Sequence, residues 1–273
     1  MNVLIRSLLY VLSFPVFSRL YGQLTRIKRP RFFARFIIDF FVKTYDISMD
    51  EYMGDTADYD SLASIFIRKL DPGKRGLSPD HQHILSPADG VISSIELIDS
   101  DKVIQAKGID YSLSEFLNET PDFSRKWYVI TIYLSPHDYH RYHFPLEGEV
   151  TGYCHMKGHI YPVNNLGLKN IKKLFIRNER IVLKMRSGNE PIYIAAVGAT
   201  FVGSIKMEFI EKYKRDNNWK DISYSTSQMD EMGRFELGST IIMVTPEEFA
   251  TPIDGITTGN HVKTGEKLFR MKR

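Results

Sequence analysis

Two adjacent residues near the C-terminus, Gly238 and Ser239, could react with each other through the main chain. They stand directly before the apolar run 241–244, which predicts a strand. Glycine has no Cβ, so its carbonyl carbon can be approached closely. The hydroxyl of the following serine can attack that carbon if a base removes its proton. The same pair is also typical of an ordinary turn before a strand, so its meaning depends on the other reactive side chains.

An aspartate and a group of histidines could supply the other parts of a nucleophile and base set. Asp89 lies in a predicted turn before a second apolar run, where it could equally bond its own backbone. His137, His140 and His143 fall within seven residues of a segment bracketed by prolines. Histidine is the side chain that titrates near neutral pH, so this density predicts acid–base chemistry, although a solvated aromatic turn would also fit.

Three segments together resemble the signatures of the phosphatidylserine decarboxylase proenzymes, a pyruvoyl-dependent family, in its bacterial membrane-associated form. They are Ser-Pro-Ala-Asp-Gly at 86–90, Leu-Ser-Pro-His-Asp-Tyr-His-Arg-Tyr-His at 134–143 and Leu-Gly-Ser-Thr at 237–240. Their order and spacing are similar to the family's, and the similarity runs from about residue 55 to the C-terminus. The N-terminal part agrees in character more than in letters.

The resemblance implies that the chain cuts itself between Gly238 and Ser239. Ser239 would attack the Gly238 carbonyl and convert the peptide bond to an ester. A β-elimination would then leave a dehydroalanine that hydrolyses to a pyruvoyl group with loss of ammonia. The large and small fragments would remain associated. The pyruvoyl group would take the amine of phosphatidylserine as a Schiff base and release carbon dioxide, giving phosphatidylethanolamine.

The resemblance also assigns roles to individual residues. His143 is the implied base for Ser239, Asp89 holds and polarises that histidine, and His140 is the implied acid or base in decarboxylation. No separate cofactor and no metal is implied. His137 stands where arginine is more usual, and the loop 161–164 resembles a substrate-side loop; the role of each stays open.

Three rival functions use the same residues. A metal-dependent hydrolase could use His137, His140, His143 and a carboxylate. A serine esterase could use Ser239, His143 and Asp89, although the serine lacks a Gly-x-Ser-x-Gly setting. A non-enzymatic membrane lipid-binding module would need none of them for chemistry. Self-cleavage predicts fragments of about 27 and 4 kDa on a denaturing gel, whereas the rivals predict one chain of 31.6 kDa.

The N-terminal region predicts contact with an anionic membrane surface. Residues 1–44 carry a net charge of +7, whereas the whole chain carries +3, so the remainder carries −4. Aromatic and aliphatic residues alternate with these basic ones at near-helical spacing, as in helices that lie in a headgroup region. The first apolar run is shorter than the roughly 20 residues needed to span a bilayer. We expect a peripheral protein on the cytoplasmic side of the cell membrane; packing of these helices on the body, or a secretory signal, are the alternatives.

Composition limits the other partners. The basic excess is confined to the N-terminus and mixed with bulky apolar residues, which argues against nucleic acid. Cys154 is the only cysteine, so no intramolecular disulfide can form. A homodimer is left open.

The predicted fold class is α+β, with a β-rich sandwich or barrel-like body and N-terminal amphipathic helices. We expect a membrane-associating helical region over 1–70 and a catalytic domain over 71–273. A capping-box pattern predicts a further short helix at 112–115, and the stretch 208–236 is predicted to be a mobile loop. The other predicted elements are helices at about 3–22, 31–44 and 59–70, and strands at about 90–98, 102–106, 126–134, 147–156, 180–186, 192–206 and 239–244.

Overall fold

The computed structural model describes residues 25–106, 109–199, 205–211, 213–236 and 239–272. Its α-helices are α1 (Arg31–Thr44), α2 (Leu62–Phe66), α3 (Leu113–Leu117), α4 (Asn165–Asn170) and α5 (Leu174–Arg177), with a 3-10 turn at Thr56–Asp58. The helix predicted over 3–22 lies outside the described residues, and so does Gly238.

Sixteen strands form the larger part of the regular secondary structure in the described chain. They are β1 (His83–Leu85), β2 (Gly90–Ile98), β3 (Lys102–Ala106), β4 (Ile109–Ser112), β5 (Trp127–Leu134), β6 (Arg141–His143), β7 (Gly148–Met156), β8 (Arg180–Ser187), β9 (Glu190–Gly198), β10 (Ile205–Met207), β11 (Trp219–Thr226), β12 (Glu231–Phe235), β13 (Ser239–Pro246), β14 (Ala250–Pro252), β15 (His261–Val262) and β16 (Lys267–Met271).

Eight of these strands form one antiparallel main sheet in the order β11-β7-β8-β9-β13-β5-β2-β15. Two three-stranded sheets, β1-β16-β14 and β10-β12-β6, and the hairpin β3-β4 complete the set. The predicted α+β class with a β-rich body is confirmed.

The main sheet is covered on both faces, which explains the continuous apolar run of β13. Side chains of β13 alternate between two cores, because successive side chains of a strand point to opposite faces. Ile242 and Val244 join a cluster that includes helical residues such as Phe66, whereas Ile241 and Met243 join a cluster with residues of the small sheets. All eight residues of β13 are buried, as expected for a strand with covered faces.

Helix α1 lies on the sheet through an apolar stripe. Ile38 and Phe41 of α1 share the helical-side core with Val129 of β5. Basic residue Lys43 lies in the last turn of α1, where a cation complements the helix dipole. The boundary of the two predicted regions at residue 70 stays a prediction.

Several predicted elements have the expected bounds. The helix at 31–44 and the strands at 90–98 and 102–106 are confirmed. Ser112 accepts a hydrogen bond from the Glu115 amide at the start of α3, as its capping pattern predicted. The predicted strand 192–206 is described as β9 and β10, with residues 200–204 outside the described part.

Two predictions were wrong. The helix expected over 59–70 is only five residues long, because the chain turns at Ile67 so that the buried Arg68 can donate to the main-chain carbonyls of His137 and Asp138. The stretch 208–236 is not a loop, since it contains β11 and β12. The sequence of β11 is polar because the strand lies at the edge of the main sheet and exposes much of its surface.

Candidate active site

Ser239 is the first residue of the central strand of the main sheet. It pairs with Leu134 of β5 on one side and with Gly198 of β9 on the other. The side chain is fully buried, and its hydroxyl oxygen has no hydrogen-bond partner among the described residues. A buried hydroxyl without a partner costs free energy, so this position calls for an explanation other than packing.

The histidine segment starts beside Ser239 because it continues from the paired strand. Leu134 ends β5 opposite Ser239, and the next residues form a tight turn. In that turn the Asp138 carboxylate accepts from the Ser135 amide at 2.7 Å, and the Asp138 amide donates to the Ser135 carbonyl at 2.9 Å. The Phe235 amide then donates to the His140 carbonyl at 2.9 Å, four residues before Ser239.

Asp89 comes to the same end of the sheet by way of β2. Gly90 starts that strand beside β5, and a Cβ at this glycine would lie 2.3 Å from the Tyr133 carbonyl oxygen. Only glycine therefore allows this approach. The Asp89 carboxylate receives two-pronged hydrogen bonds from Arg75 at 2.9–3.0 Å and one from the Thr264 amide at 2.7 Å.

Hydrogen bonds fix the tautomer of both buried histidines. His140 Nδ1 lies 2.8 Å from the Asp138 carbonyl, and His143 Nδ1 lies 2.9 Å from the Met229 carbonyl. A carbonyl can only accept, so each Nδ1 carries the proton and each Nε2 has the lone pair. The two Nε2 atoms then differ. That of His143 lies 3.1 Å from the Tyr139 hydroxyl, whereas that of His140 is buried with no partner among the described residues.

Burial keeps both rings neutral near neutral pH. It lowers the pKa of His140 to about 3, against the smaller opposing effect of the bond to the Asp138 carbonyl. It lowers the pKa of His143 to about 4, and the bond to Met229 and the charge of Asp89 oppose this shift. Each ring can therefore accept a proton at Nε2.

The direct link from Asp89 to His143 that the resemblance implies is absent from the described contacts. Both ring nitrogens of His143 have other partners, and the Asp89 oxygens face Arg75 and the Thr264 amide. Arg75 and His143 compete for the Asp89 carboxylate, and the two N–H groups of a guanidinium bind a carboxylate better than one imidazole N–H does. Asp89 acts on His143 through its charge, which favours the protonated ring.

Sequence reasoning missed two residues that build this site. The Arg75 side chain is 10% exposed and lies against Asp89, with its guanidinium also 5.6 Å from the Tyr139 ring centre. It stands in a stretch that reads as a polar turn, so no sequence pattern marks it. Tyr139 lies within the histidine motif, and its ring stacks on His143 at 5.8 Å. Its position between His137 and His140 in the sequence could have marked it as a site residue.

The remaining histidine of the motif points elsewhere. His137 is half exposed and lies with Asp138 and His261. The set required for a metal-dependent hydrolase, with His137, His140 and His143 around one ion, is not among the metal-ligand groups of the described residues.

A mostly apolar cleft of about 690 Å³ opens beside the Ser239 end of the sheet. Tyr133 and Ser135, which flank the partner of Ser239, line one side, and Asn164 lines another. The loop 161–164 is tied to the sheet by Asn178, whose amide donates to the carbonyls of Tyr161 and Gly198 at 2.8 Å each. Asn164 itself caps α4, so its side-chain oxygen is already in use.

Comparison with known proteins agrees with this arrangement. A family model described as phosphatidylserine decarboxylase matches residues 62–270. A phosphatidylserine decarboxylase proenzyme of Brevibacillus brevis is 34% identical over 98% of both chains. One of Myxococcus xanthus is 33% identical over 96% of both chains, and one of Klebsiella pneumoniae is 35% identical over 98% of this chain and 88% of its own length.

These matches first place the chain in a class, the decarboxylases that are made as proenzymes. More specifically, the chain belongs to the phosphatidylserine decarboxylase family. The resemblance inferred from the three sequence motifs is confirmed. The rival interpretations as a hydrolase or as a non-enzymatic lipid-binding module find no support in the matches.

Proposed function

We propose that this chain is a self-cleaving proenzyme that decarboxylates phosphatidylserine to phosphatidylethanolamine, using a pyruvoyl group made from Ser239. One observation carries the proposal: the hydroxyl of Ser239 is fully buried at the start of the central strand and has no partner among the described residues. A pyruvoyl group supplies an electron sink for the loss of carbon dioxide.

In the first step the Ser239 hydroxyl oxygen bonds to the Gly238 carbonyl carbon. The hydroxyl proton passes to a histidine Nε2, and the bond from that carbon to the Ser239 nitrogen breaks as the nitrogen takes up a proton. Loss of the Ser239 α-proton then breaks the bond between the Ser239 Cβ and the ester oxygen, which leaves as part of the new Gly238 carboxylate, and residue 239 becomes a dehydroalanine. Water finally replaces the nitrogen, which leaves as ammonia.

Two histidines can take the serine proton. The resemblance favours His143, whose Nε2 must first exchange the Tyr139 hydroxyl for that of Ser239. His140 is the second candidate, because its Nε2 has no partner among the described residues, although it too must move to within hydrogen-bond distance of the Ser239 hydroxyl. Asp89 stabilises a proton on either ring, since its charge raises the pKa of both.

The cleft beside Ser239 suits a lipid. Its lining combines apolar side chains such as Val163 and Leu168 with a few polar groups, among them Ser135, near the strand end. An amine headgroup that reached Ser239 from this cleft would leave its acyl chains against the apolar lining. The depth of entry would then depend on how the protein lies on the bilayer.

The exposed face of α1 supports the membrane as the place of action. Phe32, Phe36 and Phe40 are 78%, 67% and 63% exposed, on the helix face opposite the buried Ile38. Basic side chains accompany them, as in helices that lie in an anionic headgroup layer. No helix of the described residues is long and apolar enough to cross a bilayer. We propose peripheral binding at the cytoplasmic surface of the cell membrane.

The test of the function is a paired substitution in β13. Ser239→Ala should give one uncut chain of 31.6 kDa without decarboxylase activity, because no hydroxyl remains to attack. The control is Thr245→Val on the same strand, since Thr245 is also fully buried with a hydroxyl that lacks a partner among the described residues. This control should be cut normally.

Intact-mass analysis and release of carbon dioxide from phosphatidylserine vesicles are the two measurements. Active wild-type protein should contain a small fragment beginning with a pyruvoyl group in place of Ser239. An active preparation that consists only of the uncut chain would contradict the proposal.

A further inference from the structure

We propose that His137, Asp138 and His261 form a binding site for a divalent transition-metal ion, zinc by preference, that links the two fragments of the chain. None of the three side chains takes part in the chemistry proposed at Ser239. The link between fragments rests on the proposed cleavage, whereas metal binding itself does not.

The spacing of the three ligand atoms fits a tetrahedral ion. Asp138 Oδ1 lies 3.1 Å from His261 Nε2 and 3.5 Å from His137 Nε2, and all three atoms lie within 4.8 Å of one another. Ligands placed about 2.0 Å from zinc at tetrahedral angles are about 3.3 Å apart. An ion can therefore enter with small side-chain movements. Two imidazoles and a carboxylate are a set that zinc, nickel and copper ions favour.

The ligands stand on a fixed backbone. The Asp138 Oδ2 atom accepts from the Ser135 amide, which leaves Oδ1 directed at the imidazoles. Arg68 is buried and holds the carbonyls of His137 and Asp138 at 2.6 and 3.0 Å. His261 belongs to β15 and pairs with Val91 of β2. Such preorganisation lowers the cost of assembling a metal site.

An ion can reach the site from solvent. The side chains of His137 and His261 are 45% and 47% exposed, whereas that of Asp138 is 3% exposed. The three residues line a cleft of about 440 Å³ together with Asp46 and Asp50, whose charges attract cations, and with Glu51 and Lys263, which pair with each other at 2.8 Å. A tetrahedral ion would keep one open position for water.

The three ligands lie on both sides of the proposed cut. His137 and Asp138 lie before the proposed cut, and His261 lies after it. A bound ion would therefore join the small fragment to the loop that also orients His140, because the Asp138 carbonyl accepts from His140 Nδ1. The two fragments would then be held by an additional bond that needs no disulfide.

The experiment is calorimetric titration of zinc into full-length protein without a polyhistidine tag. Wild-type protein should bind one ion per chain, and His137→Ala and His261→Ala should each weaken binding by at least about tenfold, since even outer partners of a ligand are worth 10–100-fold. His81→Ala is the matched control, because His81 is exposed beside Glu147 and lies outside the site. It should bind zinc as wild-type protein does.

Both histidines are half exposed, so their replacement by alanine should leave the fold intact. Substitution of Asp138 would be a poor test of metal binding, because its carboxylate also accepts a hydrogen bond from the Ser135 amide and stabilises that turn. Uncut Ser239→Ala protein should bind zinc as wild-type protein does, which separates this proposal from that of self-cleavage. Absence of saturable binding to wild-type protein, or equal binding to both histidine variants and wild-type protein, would overturn the proposal.

Discussion

At the scale of single residues, burial sets the protonation of the site. Both His140 and His143 have a lowered pKa and a proton fixed on Nδ1 by a carbonyl. Each ring is thereby kept as a neutral acceptor, the form that a general base requires. The carboxylate of Asp89 is placed by Arg75 rather than by a histidine.

The pH dependence of self-cleavage should report these shifts. A base with its pKa near 4 stays neutral down to about pH 5, so the cleavage rate should be constant between pH 8 and 5 and should fall only below that range. A histidine with an ordinary pKa of about 6.5 would instead lose activity between pH 7 and 5.5. The rate is measured on newly synthesised precursor at each pH, as the loss of the uncut chain on a denaturing gel.

Comparison of two variants in the same assay identifies the base. With His143 as the base, His143→Ala should abolish cutting and His140→Ala should retain some cutting but lose turnover of phosphatidylserine. The reverse result on cutting would assign the serine proton to His140. Far-UV circular dichroism of each variant, and of wild-type protein at each pH, serves as the control for folding.

The ion pair of Arg75 and Asp89 should contribute strongly to stability. The two side chains are 10% and 6% exposed, and loss of one member of a buried pair typically costs about 3–5 kcal/mol. Arg75→Met should lower the free energy of unfolding in urea by about that amount. Arg186→Met removes an arginine that is 57% exposed beside Glu149 and should cost at most about 1 kcal/mol. Equal losses in the two variants would contradict this view of the pair.

At the scale of elements, α1 has two apolar faces with different partners. One packs on the main sheet through Ile38 and Phe41, and the other exposes Phe36 and Phe40 with stacked rings 6.4 Å apart. A helix that exposes large aromatic residues in a row calls for an apolar partner. The proposed partner is the bilayer.

Replacing both Phe36 and Phe40 by serine should weaken binding to anionic vesicles by at least about tenfold, because burial of each phenylalanine contributes about 1.5–3 kcal/mol. Sedimentation with lipid vesicles measures the effect. The control is Leu97→Ser, which removes an apolar side chain, 43% exposed, from β2 rather than from α1. Binding of the double variant that matched wild-type protein would rule out α1 as the anchor.

At the scale of the whole molecule, the proposed cut does not divide the fold at its surface. The small fragment of 239–273 would begin with β13, which lies between β9 and β5 at the centre of the main sheet. The same fragment provides β15, which pairs with β2, and β16, which pairs with β1. Separation would therefore expose two cores.

The two fragments should elute together in gel filtration under native conditions and separate only in denaturant. The reason is that β13 shares hydrogen-bonded pairs with two strands of the large fragment along nearly its whole length. Ser239→Ala protein, which stays uncut, is the matched control for the elution volume. Recovery of free small fragment without denaturant would contradict the predicted association.

The sequence by itself determined much of this protein because its signals are local. Strands such as β2 and helix α1 follow from side-chain periodicity within a few residues, and the motifs around Asp89, His140 and Ser239 are short runs that are readable in order. Family membership followed from those runs, and the comparisons agree.

Only the tertiary structure decided which reactive atoms have partners. The Arg75 guanidinium binds the Asp89 carboxylate, and the Tyr139 hydroxyl lies at Nε2 of His143, so the expected triad is replaced by a network. The polar stretch taken for a loop became an edge strand because its neighbour β7 offered a free edge. Such outcomes depend on which groups the folded chain brings together, because packing and competition for hydrogen bonds there outweigh local preference.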